Sequence, residues 1–161
     1  MAADILFQQP DWKFSYRVGA LIYHNDKLLV QRSAGDAGYA LPGGYVSFGE
    51  FTAETLAREL RDKTGIALKV GRLCFLVELF YQGDKPCQQI NLFYLADLKN
   101  TDDLPQGTFH PYDESGRERA ELEYSWIDVE KLEKTKLYPA CIRPYLKKLP
   151  PHTVHLCQKD L

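Results

Sequence analysis

Hydrophobic residues change their spacing along the chain, and the changes mark out strands and helices. Alternating or continuous apolar runs, separated by short polar turns, predict strands at residues 15–23, 28–32, 67–82, 87–98 and 122–127. The third and fourth of these face each other across a turn, and residues 91–96 are apolar enough for a central strand. A three- and four-residue spacing instead predicts a helix over 52–64, with a buried stripe of Ala53, Leu56, Ala57, Leu60 and Thr64.

Several residues fit the ends of helices. Thr52 suits an N-cap, and Gly65 suits the left-handed residue that ends a helix. Asp128 is expected to cap a second helix, and Pro139 to open a third that runs to Leu146. The polar stretch 99–120 predicts a loop of a length that is often functional.

This order of elements predicts the fold class. Strands come first, one helix lies among them and helices follow, which indicates an α/β (α+β) fold with a mixed sheet between helices. A length of 161 residues predicts a single domain over 1–161, with a core at about 14–148 and loosely ordered tails.

Composition excludes several classes of function. A net charge of −2 implies no basic face, which argues against a nucleic-acid partner. No apolar run is long enough to span a membrane, and the N-terminus lacks the pattern of a signal peptide, so we expect a cytoplasmic protein. Four scattered cysteines without a C-x-x-C pair argue against a zinc site and a disulfide framework.

The most informative segment joins a glycine turn to the helix at 52–64. Five residues separate Gly44 from Glu50, and seven more precede Arg58 and Glu59. Glu59 and Asp62 are three residues apart and share a helix face, where two carboxylates suit a hard divalent cation. Gly43 and Gly44 permit a sharp turn that offers a backbone carbonyl to such an ion. The alternative is an ordinary solvated helix face with ion pairs such as Arg58 with Asp62.

The spacing from Gly44 through Ile66 resembles the Nudix box, a loop–helix–loop that binds divalent metal and cleaves diphosphates. The resemblance implies a Nudix-like α/β/α sandwich and Mg²⁺ or Mn²⁺ as cofactor. It implies that Glu59 binds metal or activates the attacking water, that Asp62 and the Gly44 carbonyl bind metal, and that Arg58 holds the catalytic loop through Glu50.

Lys63 departs from the family pattern, because a glutamate usually stands at this position. At about 4 Å and an effective dielectric of about 20, each unit charge pair is worth roughly 4 kcal/mol, so a lysine facing the ion opposes its binding. Three outcomes are open: Lys63 turns into solvent and leaves a weaker metal site, its ammonium replaces one cation beside Glu59, or the site is inactive and the fold serves binding.

The family usually adds an acid from a distant loop. The options are Asp113, Glu114, Glu118, Glu121 and Glu123. Of these, Glu121 and Glu118 are preferred as metal ligands, against a solvated acidic loop as the alternative.

Four residues are candidates for substrate binding. Arg32 resembles the family's phosphate-gripping arginine, although a surface salt bridge explains it equally well. Tyr39, Phe48 and Tyr81 are able to stack on a base, against a role in the core.

These features predict a metal-dependent hydrolase of a small-molecule nucleotide, either ADP-ribose, a sugar nucleotide or a nucleoside triphosphate. The rival hypothesis is an inactive Nudix-fold nucleotide sensor, and a third is a mixed domain with an incidental acidic helix. The resemblance also makes a homodimer possible.

Overall fold

The computed structural model describes residues 3–101, 105–113 and 115–161. These residues contain one α-helix, Thr52–Thr64 (α1), and two 3₁₀ segments, Val129–Lys134 and Ala140–Tyr145. The longer strands are β2 (Lys13–Leu21), β4 (Lys27–Ser33), β7 (Leu68–Gln82), β8 (Pro86–Leu98), β10 (Leu122–Asp128) and β12 (Val154–Asp160). The short strands are β1 (Leu6–Gln8), β3 (Tyr23–His24), β5 (Tyr39–Ala40), β6 (Gly43–Tyr45), β9 (Thr108–Phe109) and β11 (Leu137–Tyr138).

The strands form two mixed sheets rather than one. The first sheet has the order β1-β2-β8-β7-β12, with β6 also paired to β2, and the second has the order β11-β5-β4-β10-β9, with β3 paired to β4. Each sheet contains parallel pairs, such as β2 with β8 and β5 with β11. The α+β class predicted from the sequence is confirmed.

Alternation along β2 explains how the core is divided. Val18 and Ala20 lie in a buried cluster that includes Leu56 and Leu60 of α1. Leu21 faces the other way, into a second cluster that contains the 3₁₀ residue Ile142. Successive strand side chains point to opposite faces, so β2 is covered on both sides. The helix and the 3₁₀ segments therefore lie on opposite sides of this strand.

The predicted helix at 52–64 is confirmed residue for residue, but its N-cap was wrong. Phe51 occupies that position, and its backbone N–H donates to Glu54 Oε2 at 2.7 Å. The Thr52 hydroxyl instead shares a 2.7 Å hydrogen bond with the Tyr94 hydroxyl. Gly65 ends the helix with φ of 75°, as predicted.

Three expectations for the C-terminal part need correction. The second and third helices are single 3₁₀ segments, although Asp128 and Pro139 stand at their N-cap positions as expected. The Asp128 carboxylate forms no capping hydrogen bond and pairs with Lys27 at 3.0 Å and Lys131 at 3.4 Å. The final tail was expected to be loosely ordered, yet Val154–Asp160 forms the edge strand β12, parallel to β7. Backbone pairing along β7 supplies the order that the tail's sequence does not indicate. No helix in the described residues is long and apolar enough to cross a membrane.

Candidate active site

Close backbone packing places the glycine turn directly over α1. Strand β6 pairs with β2, with Gly43 opposite Gly19 and Gly44 opposite Val18. A Cβ on Gly43 would lie 2.0 Å from the Val18 carbonyl oxygen, and one on Gly44 would lie 3.0 Å from the Glu59 carboxylate. Only glycine fits at position 43, and glycine at position 44 allows the Glu59 carboxylate to lie close to the turn.

Arg58 clamps the loop that precedes the helix. Its Nε and Nη2 donate to the two carboxylate oxygens of Glu50 at 2.9 and 2.8 Å, and Nη2 also donates to Ser47 Oγ at 3.1 Å. These bonds, with one from the Thr55 hydroxyl, lower the pKa of Glu50 from 4.5 to about 2. The same pairing raises the pKa of Arg58. The predicted connection of Arg58 to the loop through Glu50 is present in the structure.

Both oxygens of the Glu59 carboxylate already contact a cation. Arg58 Nη1 lies 3.3 Å from Oε1, and Lys63 Nζ lies 2.9 Å from Oε2. Lys63 Nζ also donates to the Gly43 carbonyl oxygen at 3.0 Å. Of the three outcomes open for Lys63, the second requires the ammonium to pair with Glu59, and this pairing is present in the structure; the replacement of a metal ion by the ammonium stays a prediction. The carbonyl that it contacts belongs to Gly43, the residue before the predicted ligand Gly44.

The other carboxylates predicted to bind metal are exposed and pair with arginine or with no group of the box. Asp62 is 63% exposed and is 3.8 Å from Arg58 Nη1. Glu121 is 61% exposed and pairs with Arg119 at 2.7 Å. Glu118 is exposed and forms an isolated bridge with Tyr112. In the described parts of the chain, neither Glu121 nor Glu118 forms a hydrogen bond or ion pair with the box, and Glu114 lies outside the described residues.

The carboxylates of the box are of the type that binds a divalent cation. Glu59 and Asp62 offer the carboxylate oxygens that Mg²⁺ and Mn²⁺ prefer. A Cβ at position 44 would lie 3.0 Å from Glu59 Oε2, so glycine at this position keeps the space beside that oxygen free of a side chain. The oxygens suit such an ion once Lys63 turns away, and with Lys63 in place Glu59 is already neutralised.

The four candidate substrate residues do not share one cavity. Arg32 lines a cavity of about 230 Å³, where it pairs with Glu123 at 3.0 Å and lies 4.6 Å from the Tyr39 ring centre. Tyr81 lines a larger cavity of about 690 Å³. Burial raises the pKa of Tyr81 to about 12, so its hydroxyl remains a hydrogen-bond donor at neutral pH. Phe48 is half exposed and packs edge-on against Phe7 at 6.4 Å.

The larger cavity also contains polar residues that the sequence reasoning missed. Gln89 and Asn91 on β8 line it, and Asn91 Nδ2 donates to Gln89 Oε1 at 3.2 Å. Within the described part of the chain, the Asn91 side-chain oxygen is buried without a hydrogen-bond partner. Other polar residues of the lining include Arg17 on β2 and Gln158 and Asp160 on β12. The sequence did contain a signal for this polar lining: Gln89 and Asn91 carry side-chain amides at alternate positions of a central strand, which indicates that one face of the strand is polar.

Comparisons with known proteins agree with this geometry. The NUDIX domain family matches residues 13–149. Among similar structures, a NUDIX hydrolase from Nitrosomonas europaea is 17% identical with a TM-score of 0.62, over 96% of this chain and 81% of that one. An ADP-ribose pyrophosphatase from Streptococcus suis is 15% identical with a TM-score of 0.57, over 89% and 98%. A UDP-X diphosphatase is 19% identical with a TM-score of 0.59, over 93% and 68%. At these identities the structural likeness concerns the fold.

Proposed function

Because the chain belongs to the NUDIX domain family, we propose that it is a divalent-metal-dependent pyrophosphohydrolase of a nucleoside diphosphate derivative. ADP-ribose, a sugar nucleotide and a nucleoside triphosphate are the candidate substrates. One observation carries the proposal: the Arg58–Glu50 clamp holds Glu59 against the glycine turn at the family's spacing. The descriptions of two relatives as an ADP-ribose pyrophosphatase and a UDP-X diphosphatase support this substrate class.

In the proposed reaction, a water oxygen attacks one phosphorus and the bridging P–O bond breaks. The water proton passes to Glu59, a role that contributes typically about 10²- to 10⁴-fold in rate. Arg58 fixes the orientation of this carboxylate through its contact with Oε1. A bound Mg²⁺ or Mn²⁺ would supply further charge neutralisation on the departing phosphate. Glu59 and Asp62 would hold it, with the Gly44 carbonyl and a distal acid such as Glu121 or Glu118 still predictions.

Lys63 controls whether the Glu59 carboxylate is free to act in the proposed reaction. Its ammonium, 2.9 Å from Glu59 Oε2, has to leave before Glu59 accepts a proton or binds a metal ion. A substrate diphosphate is the natural competitor for the ammonium, because its negative charge exceeds that of one carboxylate. Lys63 would then neutralise phosphate charge in the productive complex and Glu59 charge in the free protein.

The larger cavity suits the nucleoside portion of the substrate. Its volume of about 690 Å³ falls within the range of small-molecule sites, about 300–1,000 Å³. The Asn91 oxygen, which has no hydrogen-bond partner among the described residues, would accept a hydrogen bond from the substrate, and Tyr81 offers both a ring face and a hydroxyl. This combination fits a base or a ribose better than it fits a purely apolar group.

The second candidate function is a nucleotide sensor without catalysis. The pairing of Lys63 with Glu59 favours it, because the pair occupies the one carboxylate that is suited to activate water. The two functions share the cavity and differ only in whether the pair opens.

Product release from a panel of nucleoside diphosphate derivatives, with Mg²⁺ and Mn²⁺ titrated separately, tests the proposal. Glu59→Gln is measured beside the exposed control Glu133→Gln. Metal-dependent turnover that is lost in Glu59→Gln and kept in Glu133→Gln supports the enzyme. Nucleotide binding without turnover on any compound replaces it with the sensor.

A further inference from the structure

Three side chains of types that bind metal ions, Glu78, His155 and Cys157, meet at the surface of the first sheet. Strand β12 runs parallel to β7, and Cys157 lies directly opposite Glu78. His155 precedes Cys157 by two residues, so its side chain points to the same face of the sheet. All three side chains are exposed, and their ligand atoms lie within 4.8 Å of one another.

The distances between the ligand atoms are short. His155 Nε2 lies 2.7 Å from Glu78 Oε2, and Cys157 Sγ lies 3.4 Å from the same oxygen. Cys157 Sγ lies 3.7 Å from His155 Nε2. Each group therefore touches the other two, and the trio forms a triangle open to solvent.

We propose that Glu78, His155 and Cys157 form a surface binding site for a borderline-soft divalent cation such as Zn²⁺. Tetrahedral coordination with Zn–N and Zn–O bonds of about 2.0 Å and a Zn–S bond of about 2.3 Å places ligand atoms about 3.3–3.6 Å apart. The two sulfur distances match this value. The His155–Glu78 distance has to widen by about 0.6 Å, which is within the reach of two exposed side chains.

The ligand types set the preference of the site. One thiolate, one imidazole and one carboxylate select Zn²⁺ or Co²⁺ over Mg²⁺, which prefers an all-oxygen shell. The Cys157 thiol loses its proton to solvent when the ion binds. Three protein ligands leave a fourth position for water. The scattered cysteines argued against a zinc site from the sequence alone, and the pairing of β12 with β7 is what brings these ligands together.

An ion at this site would fasten the C-terminal strand to the sheet. Gln158, next to Cys157 along β12, points to the opposite face and lines the larger cavity together with Asp160. The cation would thus cross-link β12 to β7 from the outside, while the inner face of β12 forms a wall of the candidate substrate cavity. The site itself stands independently of the proposed hydrolase activity.

Cobalt titration of the full-length, reduced protein tests the proposal. Co²⁺ bound to a thiolate gives a near-ultraviolet charge-transfer absorption that oxygen ligands of the Nudix box cannot produce. The expected result is one Co²⁺ per chain with this absorption, displaced by Zn²⁺ and lost in Cys157→Ser. Cys141→Ser, which changes another partly accessible thiol, keeps it.

Zn²⁺ affinity measured by calorimetry supplies a second readout. His155→Ala should weaken binding at least about tenfold, because even the loss of a group that orients a ligand has an effect of this size. His152→Ala, an exposed histidine three residues away, should leave it unchanged. Equal melting temperatures of the metal-free variants exclude misfolding. Absence of the charge-transfer absorption in the wild type, or its survival in Cys157→Ser, overturns the proposal.

Discussion

Replacing Lys63 should tighten metal binding at the Nudix box. The Lys63 ammonium contacts Glu59 Oε2 at 2.9 Å and the Gly43 carbonyl oxygen at 3.0 Å, so it pairs with one oxygen of the carboxylate that is proposed to hold the metal ion. At about 4 Å and an effective dielectric of about 20, a unit charge repels a divalent ion by roughly 8 kcal/mol. The Lys63 side chain is 26% exposed and flexible, so its rotation into solvent when the ion binds relieves most of this repulsion.

We therefore expect Lys63→Met to tighten Mn²⁺ binding at least tenfold, equivalent to about 1.4 kcal/mol, and Lys63→Glu to tighten it further by adding a ligand. Electron paramagnetic resonance of free Mn²⁺ during a titration measures the change. Lys147→Glu is the matched control, because this exposed lysine pairs with Glu130 outside the box. An Mn²⁺ affinity of Lys63→Glu equal to that of the wild type would refute the reasoning, because Lys63 would then not oppose the ion.

Three further predictions concern stability and substrate binding. The pKa of Glu50 is lowered from 4.5 to about 2, so its contribution to stability is complete above pH 4.5 and is lost as the pH falls towards 2. The free energy of unfolding of Glu50→Gln, measured by acid denaturation, should therefore depend less on pH across this window. A pH dependence equal to that of the wild type would count against the Arg58–Glu50 clamp. Asn91→Leu removes a buried unpartnered oxygen but also the Nδ2 group that donates to Gln89 Oε1, so its two effects on the melting temperature oppose each other. KM should rise by about three- to tenfold, and an unchanged KM would remove Asn91 from the substrate site. Gly65→Ala places a side chain at φ of 75°, and no atom of the described residues lies within 4 Å of the new Cβ. Backbone strain alone should therefore lower the free energy of unfolding, measured by chemical denaturation, by about 1 kcal/mol. An unchanged free energy of unfolding would show that the strain is relieved.

Local patterns along the chain were sufficient to predict the box and the helix that follows it. The helix at 52–64 and its end at Gly65 depend on residue spacing and on one left-handed residue, both of which are written in a short segment. The long strands β7 and β8 were equally accessible, because apolar runs on both sides of a tight turn specify a hairpin. The fold class followed from these elements.

Features that depend on pairing between distant segments could not be predicted in this way. Strand β12 has alternating polar positions and follows a proline pair, so its order comes from β7, about 80 residues earlier in the chain. The Glu78, His155 and Cys157 cluster exists only through that pairing. The partner of Lys63 was one of three open outcomes, because the choice depended on where the Gly43 carbonyl lies.

Incorporation of ¹⁸O from labelled water tests directly whether the protein hydrolyses its substrate by attack of water on phosphorus. The best substrate from the nucleotide panel is hydrolysed in H₂¹⁸O with Mg²⁺ or Mn²⁺, and the masses of the products are measured by mass spectrometry. Water attack at phosphorus with Glu59 as the base predicts one ¹⁸O atom in a single phosphate-bearing product, and a loss of about 10²-fold or more in rate for Glu59→Gln. Turnover that persists unchanged in Glu59→Gln, or products without the label, would contradict the account.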